Sequence, residues 1–265
     1  MSLFKSLIPR QQELCYGFDR RFVNQRFRTD GNEHFIKEVV PQYLCRGAVV
    51  YDIGGGKKPL ISPETKQSLG ATVVGVDVDA GELARAPAGA YDRTIPADIQ
   101  TYRANPAEAD LVICQAVLEH VQSQRAALNG VFSMLKPGGL ALVFLPCRNS
   151  IYARLNLILS EELKKKILFY VSPRKMDEHG FAAYYDCCTP RHFRSLVHEC
   201  NGTIVEEQYY YRSTYFYFSF PTYALWRLWV ALFHLMAGEQ ACETFSVVFR
   251  KNLPVPETTT NKIGM

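Results

Sequence analysis

Short apolar runs alternate with stretches of helical periodicity along most of the chain. The runs of strand length fall at 48–53, 71–76, a weaker one ending near 95–98, 111–114, 140–145, 203–208 and 244–250. This alternation is typical of a largely parallel sheet with helices on both faces. We therefore predict an α/β fold built on a doubly wound sheet.

Two of the helical stretches have clear boundaries. Residues 126–135 place apolar side chains at helical spacing and run into a Lys-Pro-Gly-Gly stop. Thr189 and Pro190 have the residue types preferred at the N-cap and first position of a helix, which would continue through 191–199 and stop at an Asn-Gly pair. These signals place one helix before the fifth strand and another before the sixth.

The same pattern divides the chain into four parts. We expect an N-terminal helical cap, a main domain, two helical insertions within that domain and a flexible tail that contains prolines and threonines. Their bounds are 1–45 for the cap, 46–251 for the domain, 148–188 and 212–240 for the insertions, and 252–265 for the tail.

Composition narrows the class of protein. Hydrophobic residues make up 48% and charged residues 21% of the 265 positions, which is typical of a globular protein. The net charge of +4 comes from scattered residues without dense basic blocks, so we expect no nucleic-acid partner.

Cys114 and Cys147 lie in or beside apolar runs, which favours buried thiols in a reducing compartment. Lys5 and Pro9 interrupt the N-terminal apolar stretch, so we predict a cytoplasmic protein.

The strongest chemical signal joins the ends of the first two strands. Residues 52–56 read Asp-Ile-Gly-Gly-Gly, and Asp77 ends the second strand. A glycine turn lets a ligand approach the backbone, while an acidic side chain about 20 positions later can accept hydrogen bonds from both ribose hydroxyls. The pair predicts a nucleoside-binding site.

The details around the glycines disfavour a dinucleotide. A pyrophosphate-binding turn needs a third glycine, and Pro59 stands in its place. Asp52 would repel a pyrophosphate, but it suits a ligand that carries an ammonium and a sulfonium group.

Four motifs together resemble the Rossmann-like class I methyltransferases. They are 52–56, Asp77, 97–99 (Ala-Asp-Ile) and 135–139 (Leu-Lys-Pro-Gly-Gly). The resemblance implies S-adenosylmethionine as cofactor and a seven-stranded sheet whose last strand is antiparallel, with helical insertions after strand five and between the last two strands.

The resemblance also implies a set of cofactor contacts. Gly54 and Gly56 would hold the methionine part, Asp77 the ribose, and Asp98 with Ile99 the adenine. The complete set of expected cofactor-binding residues is Asp52, Gly54, Gly56, Asp77, Val78, Asp98, Ile99 and Gln115. Alternatively, Asp98 is a helix N-cap. Asp79, which follows close after the ribose-binding candidate, could be only a solvent-facing turn residue.

Residues 110–121 resemble the fourth-strand region of a subgroup that includes ubiquinone-pathway O-methyltransferases. Some members bind a divalent metal with a Glu and a following Glu-His pair, but here Ala116 replaces the first Glu and leaves Glu119 and His120. We therefore predict no metal requirement.

His120 is a candidate general base, as is His179 in the first insertion; alternatively, Glu119 and His120 pin the helix after strand four. Many family members need no strong base, because alignment drives the transfer.

The segment 215–236 is rich in aromatic and aliphatic residues. A single membrane span would separate two strands that must be neighbours, so we expect an interfacial or substrate-covering helical hairpin in which Arg227 snorkels to a lipid surface. A buried cap or dimer face is the alternative.

The predicted acceptor is a small molecule, a glycan or a lipid-linked compound, met by peripheral contact at the inner membrane face. An enzyme acting on protein or RNA and a non-catalytic cofactor-binding protein are the rival hypotheses.

Overall fold

The computed structural model describes residues 2–160, 162 and 182–254. Seven strands form one sheet, and each contains or overlaps one of the predicted apolar runs. Their bounds are Val49–Ile53 (β1), Thr72–Asp77 (β2), Arg93–Pro96 (β3), Ala109–Gln115 (β4), Leu135–Pro146 (β5), Gly202–Tyr210 (β6) and Thr244–Lys251 (β7).

The order of the strands across the sheet is β3–β2–β1–β4–β5–β7–β6. Neighbouring strands from β3 to β5 are parallel, whereas β7 lies antiparallel to both β5 and β6. The predicted seven-stranded α/β sheet with an antiparallel last strand is therefore confirmed. Since β7 alone is reversed, β6 runs in the same direction as β1 to β5, and their carboxyl ends share one edge.

Helices connect the strands and start at residues with capping side chains. Ser62, Asp79, Ser123, Ser150 and Thr189 each accept a hydrogen bond from a backbone N–H in the first turn of the helix that follows. The α-helices are Ser2–Phe22 (α1), Gly31–His34 (α2), Val40–Tyr43 (α3), Pro63–Leu69 (α4), Ala80–Ala84 (α5), Gln124–Met134 (α6), Ile151–Ile158 (α7), Pro190–Glu199 (α8) and Phe220–Ala237 (α9). A π-helical stretch, Phe35–Val39, joins α2 to α3.

The fifth strand begins earlier than predicted. The Lys-Pro-Gly-Gly sequence lies inside β5, because Leu135 already pairs with Ala109 before the register shifts and Leu140 pairs with Leu111. A strand with such an irregularity accommodates a proline and two glycines that would stop a regular one. The predicted helix at 126–135 is correct in type, with its observed bounds at Gln124–Met134.

Both faces of the sheet are buried. Tyr51 and Ile53 of β1 point into the larger apolar cluster, while Val50 points into the other one. Phe35 and Val39, from the N-terminal 45 residues, belong to that second cluster, so part of this region covers the sheet directly. Cys114 and Cys147 are fully buried free thiols, as expected.

The connection between β6 and β7 differs from the prediction in two respects. It contains one long helix, α9, preceded by a short 3₁₀ turn at Thr214–Phe216, and not a helical hairpin. The prediction that Arg227 snorkels was wrong, since this residue is 8% exposed and paired with Asp19 of α1. Within residues 2–160, 162 and 182–254, no helix is both long and apolar enough to cross a bilayer.

Candidate active site

The turn after β1 requires glycine at two positions. Gly54 and Gly56 have φ angles of +73° and +47°, a region that other residues rarely adopt. A Cβ on Gly54 would lie 2.2 Å from a methyl group of Val117, which follows β4. The turn therefore brings backbone close to the end of β4, where no side chain fits.

Asp52 lies buried beneath this turn. Its Oδ2 accepts hydrogen bonds from the backbone N–H of Leu60 at 3.0 Å and the hydroxyl of Tyr91 at 3.3 Å, whereas Oδ1 is buried without a partner. Burial raises the pKa of the Asp52 carboxyl to about 6. A donor that approached Oδ1, such as an ammonium group, would satisfy this atom and favour the ionised form, so the residue fits the amino group of S-adenosylmethionine.

Tyr91 is a site residue that the sequence analysis missed. Its hydroxyl also lies 3.2 Å from the carbonyl oxygen of Gly56, and its ring occupies the space where Gly75 of β2 would carry a Cβ, at 2.8 Å. A glycine in the middle of an otherwise β-branched strand indicates a close approach of another group. That signal was present in the sequence, but it did not identify the partner.

Asp77 lies beside the glycine turn, as predicted. Its Oδ2 is 3.1 Å from the position of a Cβ on Gly56, and its Oδ1 accepts a hydrogen bond from the N–H of Asp79. Burial is the main cause of a raised pKa of the Asp77 carboxyl, to which the charges of Asp79 and Glu82 add. The next residue, Val78, exposes 59% of its surface, which leaves an apolar side chain beside the turn.

The third motif reaches the same edge of the sheet. The N–H of Ala97 donates to the carbonyl oxygen of Asp77 at 2.8 Å, which places Asp98 and Ile99 after that contact. The carboxylate of Asp98 accepts hydrogen bonds from the backbone and side chain of Gln100, so it caps a turn. Ile99 is 5% exposed, with its carbonyl oxygen against α6 at Gly130. Their contacts to adenine remain a prediction.

The end of β4 meets the N-terminal region of the chain. The side-chain amide of Gln115 donates to Asn32 of α2, whose first residue, Gly31, is packed against Tyr210 and Thr244. Ala116, next in sequence, has φ +53°, which is uncommon for a residue with a Cβ. Asn32 was not among the predicted site residues, because nothing in the local pattern links it to β4.

Glu119 and His120 follow β4 in a short 3₁₀ helix, Leu118–His120. Burial raises the pKa of the Glu119 carboxyl to about 8, and its Oε2 is buried without a hydrogen-bond partner. The carbonyl oxygen of Glu119 accepts the N–H groups of Tyr184 and Tyr185, and Nδ1 of His120 lies 3.1 Å from the carbonyl oxygen of Ala182. Residues 182–185, near the end of the first insertion, are thereby held against the 3₁₀ helix that follows β4.

The other predicted catalytic residue, His179, lies outside the described residues. In the part of the chain that the structure describes, no group of three or more His, Cys, Asp or Glu side chains is arranged to hold a metal ion. Nε2 of His120 and Oε1 of Glu119 are 3.7 Å apart. The prediction that the protein needs no metal still rests on Ala116.

Comparison with known proteins supports the assignment of these motifs. A family model for a methyltransferase domain matches residues 51–143. Ubiquinone biosynthesis O-methyltransferase from Colwellia psychrerythraea is 31% identical over 125 residues, 45% of this chain and 50% of that protein. The corresponding protein from Bradyrhizobium is 37% identical over 110 residues, 39% of this chain and 42% of that protein. The chain therefore spans about half the length of these curated relatives or less.

A solved structure extends the likeness to most of the fold. Phosphoethanolamine N-methyltransferase 2 from Haemonchus contortus, in complex with S-adenosyl-L-methionine, superposes with a TM-score of 0.52 over 94% of this chain and 60% of that one, at 14% identity. The order of the strands, the glycine turn and the acidic residue at the end of β2 agree with the domain match. These likenesses assign residues 51–143 to a methyltransferase domain and show that the chain has the fold of the class I S-adenosylmethionine-dependent methyltransferases.

Proposed function

We propose that this protein transfers the methyl group of S-adenosylmethionine to a hydroxyl group of a small, glycan or lipid-linked acceptor. The observation that carries the proposal is that the predicted cofactor turn and the Glu119–His120 pair follow neighbouring strands. Ile53 at the end of β1 pairs with Cys114 near the end of β4. A methyl donor held at the end of β1 would therefore face an acceptor held at the end of β4.

His120 has a geometry suited to accept a proton from the acceptor. A carbonyl oxygen cannot donate, so the contact with Ala182 favours the tautomer with the proton on Nδ1, and Nε2 is then the basic nitrogen. His120 retains 30% of its side-chain exposure, whereas Glu119 retains 7%. Solvent and an acceptor therefore reach His120 more readily, whereas Glu119 is a buried polar neighbour of the histidine.

Tyrosine side chains surround this pair and support an acceptor with a ring. Tyr152 and Tyr215 stack with ring centroids 3.7 Å apart, and Tyr184 is 42% exposed. The charge of Glu119 contributes to the raised pKa of Tyr185 and of Tyr215, although burial is the larger cause. Flat rings that carry hydroxyl groups suit stacking on a sugar or an aromatic head group.

A lipid-linked acceptor agrees with the outer face of α9. This helix exposes an apolar stripe whose members are between 43% and 85% exposed: Leu225, Leu228, Trp229, Leu232, Leu235 and Met236. The opposite face is packed in the protein through Tyr223, Trp226 and Val230. A one-sided apolar helix of this kind binds at a membrane interface without crossing it.

The proposal is tested by incubating the purified protein with methyl-labelled S-adenosylmethionine and separate lipid, glycan and small-molecule extracts. We expect a labelled product in one of these fractions, with a mass increase of one methyl group. The reaction is run with EDTA and with magnesium, and equal yields are expected because Ala116 removes a ligand. Label only in protein or RNA would favour the rival enzyme class, and cofactor binding without any labelled product would favour a non-catalytic role.

A further inference from the structure

A cavity lies between the N-terminal helix and the segment that follows β6. Its volume is about 450 Å³. The lining residues are Glu13, Tyr16, Asp19, Arg20, Gln25, Arg28 and Arg212. Three guanidinium groups thus come from three separate parts of the chain, namely α1, the loop before α2 and the loop after β6.

The acidic residues of the cavity do not balance these arginines. Both carboxylate oxygens of Asp19 already accept hydrogen bonds from Arg227, which is not a lining residue. Arg212 has one ion pair that is long, 3.5 Å to Asp30. Glu13 is therefore the remaining lining carboxylate, and the cavity carries an excess of positive charge.

Arg28 is the best-placed guanidinium to hold a ligand. Its Nε is buried and has no hydrogen-bond partner, which is costly for a charged group unless an acceptor is supplied. The backbone holds the residue at the end of a 3₁₀ turn, where its N–H donates to the carbonyl oxygen of Gln25. An anion with several oxygens would satisfy Nε and meet the two other guanidinium groups.

The cavity lies at the same edge of the sheet as the proposed active site. Arg212 comes two residues after β6, which ends at Tyr210 on the edge formed by the carboxyl ends of the parallel strands. Its partner Asp30 is the N-cap of α2, and Asn32 of that helix contacts Gln115 at the end of β4. The Arg212–Asp30 ion pair and the Asn32–Gln115 hydrogen bond therefore connect the cavity with the end of β4, which His120 follows.

We propose that this cavity is a binding site for a phosphate group, carried by the acceptor or by an anionic lipid on which the acceptor is presented. Guanidinium groups bind phosphate through paired, charge-assisted hydrogen bonds, and three of them provide more donors than a monoester needs. The link to the acceptor rests on the proposed methyl transfer. The phosphate site itself does not, because it can be measured without cofactor.

The first experiment titrates inorganic phosphate and pyrophosphate into the protein and follows heat and melting temperature at constant ionic strength. We expect saturable binding by the wild type and about tenfold weaker binding by Arg28→Gln, since one charged hydrogen-bonding group is lost. Arg20→Gln, on the exposed side of α1, gives a second test if Arg28→Gln is unstable. Arg46→Gln removes the same charge from the amino edge of β1 and should bind like the wild type.

Vesicle flotation distinguishes the two sources of phosphate. If phosphatidylglycerol vesicles bind the wild type more than phosphatidylcholine vesicles do, and Arg28→Gln removes the difference, the ligand is a lipid head group. If Arg28→Gln weakens phosphate binding but leaves flotation unchanged, the ligand is a phosphate on the acceptor. Absence of phosphate binding in the wild type, or wild-type affinity in both Arg28→Gln and Arg20→Gln, would overturn the proposal. Retained S-adenosylhomocysteine binding in these variants would show that the cofactor site is unaffected.

Discussion

Arg227 and Asp19 form a bidentate ion pair in the protein interior, with both carboxylate oxygens 2.8 and 2.9 Å from Nη2 of the arginine. The two residues are 208 positions apart. The hydroxyls of Tyr217 and Tyr223 also donate to Asp19, and Nη1 of Arg227 donates to the carbonyl oxygens of Phe27 and Tyr211. The pair ties α1 to α9 and fixes which face of α9 points outward.

We expect Asp19→Asn to destabilise the protein by about 3 kcal/mol or more, because the Arg227 charge would remain buried without its counter-ion. Urea unfolding measures this loss. Glu33→Gln, which breaks the exposed pair with Lys37, should change stability by less than about 1 kcal/mol. Equal effects of the two substitutions would show that the buried pair contributes no more than a surface pair.

The glycine turn offers a matched comparison between two glycines. Gly54 and Gly47 have similar φ angles, +73° and +70°, but a Cβ would meet Val117 at Gly54 and nothing within 4 Å at Gly47. We expect Gly54→Ala to weaken S-adenosylhomocysteine binding by about tenfold or more, because the turn must shift. Gly47→Ala should cost about 1 kcal/mol of stability from backbone strain and leave affinity unchanged.

Calorimetry of the two alanine variants measures these affinities, and circular dichroism confirms that they fold. Adding Val117→Ala to Gly54→Ala should restore part of the binding, since it removes the clashing methyl groups. Wild-type affinity in Gly54→Ala alone would contradict the role of this turn.

Local patterns predicted much of the fold and the position of the glycine turn beside Asp77. The glycine turn and Asp77 could be found because their residue types follow strands whose apolar runs are unambiguous, and parallel strands bring their ends together. The helix at 190–199 was found from its Thr-Pro start. These features depend on neighbours in sequence or on the regular geometry of the sheet.

Contacts between distant segments could not be predicted in the same way. The position of Arg227 within an apolar segment suggested a lipid surface, because its partner lies in α1 and carries no local signal. The contact between Asn32 and Gln115 and the position of Tyr91 beneath Gly75 likewise depend on tertiary packing. Each of these residues was missed or misplaced for that reason.

His120 is expected to act as the general base. In His120→Asn the side-chain amide can still donate to the carbonyl oxygen of Ala182, but the basic nitrogen is lost. We expect kcat to fall by about 100-fold with unchanged S-adenosylhomocysteine affinity, because the group that accepts the proton is removed. Steady-state kinetics measures kcat, and calorimetry measures the affinity.

The control for this prediction is His198→Asn, an exposed histidine on α8. Its kinetics should match those of the wild type. An unchanged kcat in His120→Asn would show that alignment of the acceptor with the methyl group is sufficient for the reaction.

The exposed face of α9 is expected to bind lipid. Leu228 and Leu232 are 57% and 50% exposed and lie one turn apart, so Asp at both positions places charge on the apolar stripe without disturbing the buried face. We expect the double variant to lose vesicle flotation while it keeps S-adenosylhomocysteine binding.

A matched double variant, Val205→Asp with Leu253→Asp, adds the same charge at exposed apolar positions away from α9 and should float like the wild type. No flotation by the wild-type protein would contradict lipid binding and favour a dimer face. Sedimentation of the wild type and of the α9 double variant would then show whether the substitutions dissociate a dimer.

The central claim, that the β1–β2 edge binds S-adenosylmethionine, is tested most directly by isothermal titration of S-adenosylhomocysteine into the wild type and Asp77→Ala. We expect a dissociation constant on the order of micromolar for the wild type. Asp77→Ala should lose about 2 kcal/mol of binding free energy, because the ribose hydroxyls lose a charged acceptor. Glu38→Gln, which removes an exposed carboxylate, should bind like the wild type. Absence of S-adenosylhomocysteine binding, together with tight binding of NAD, would contradict the account.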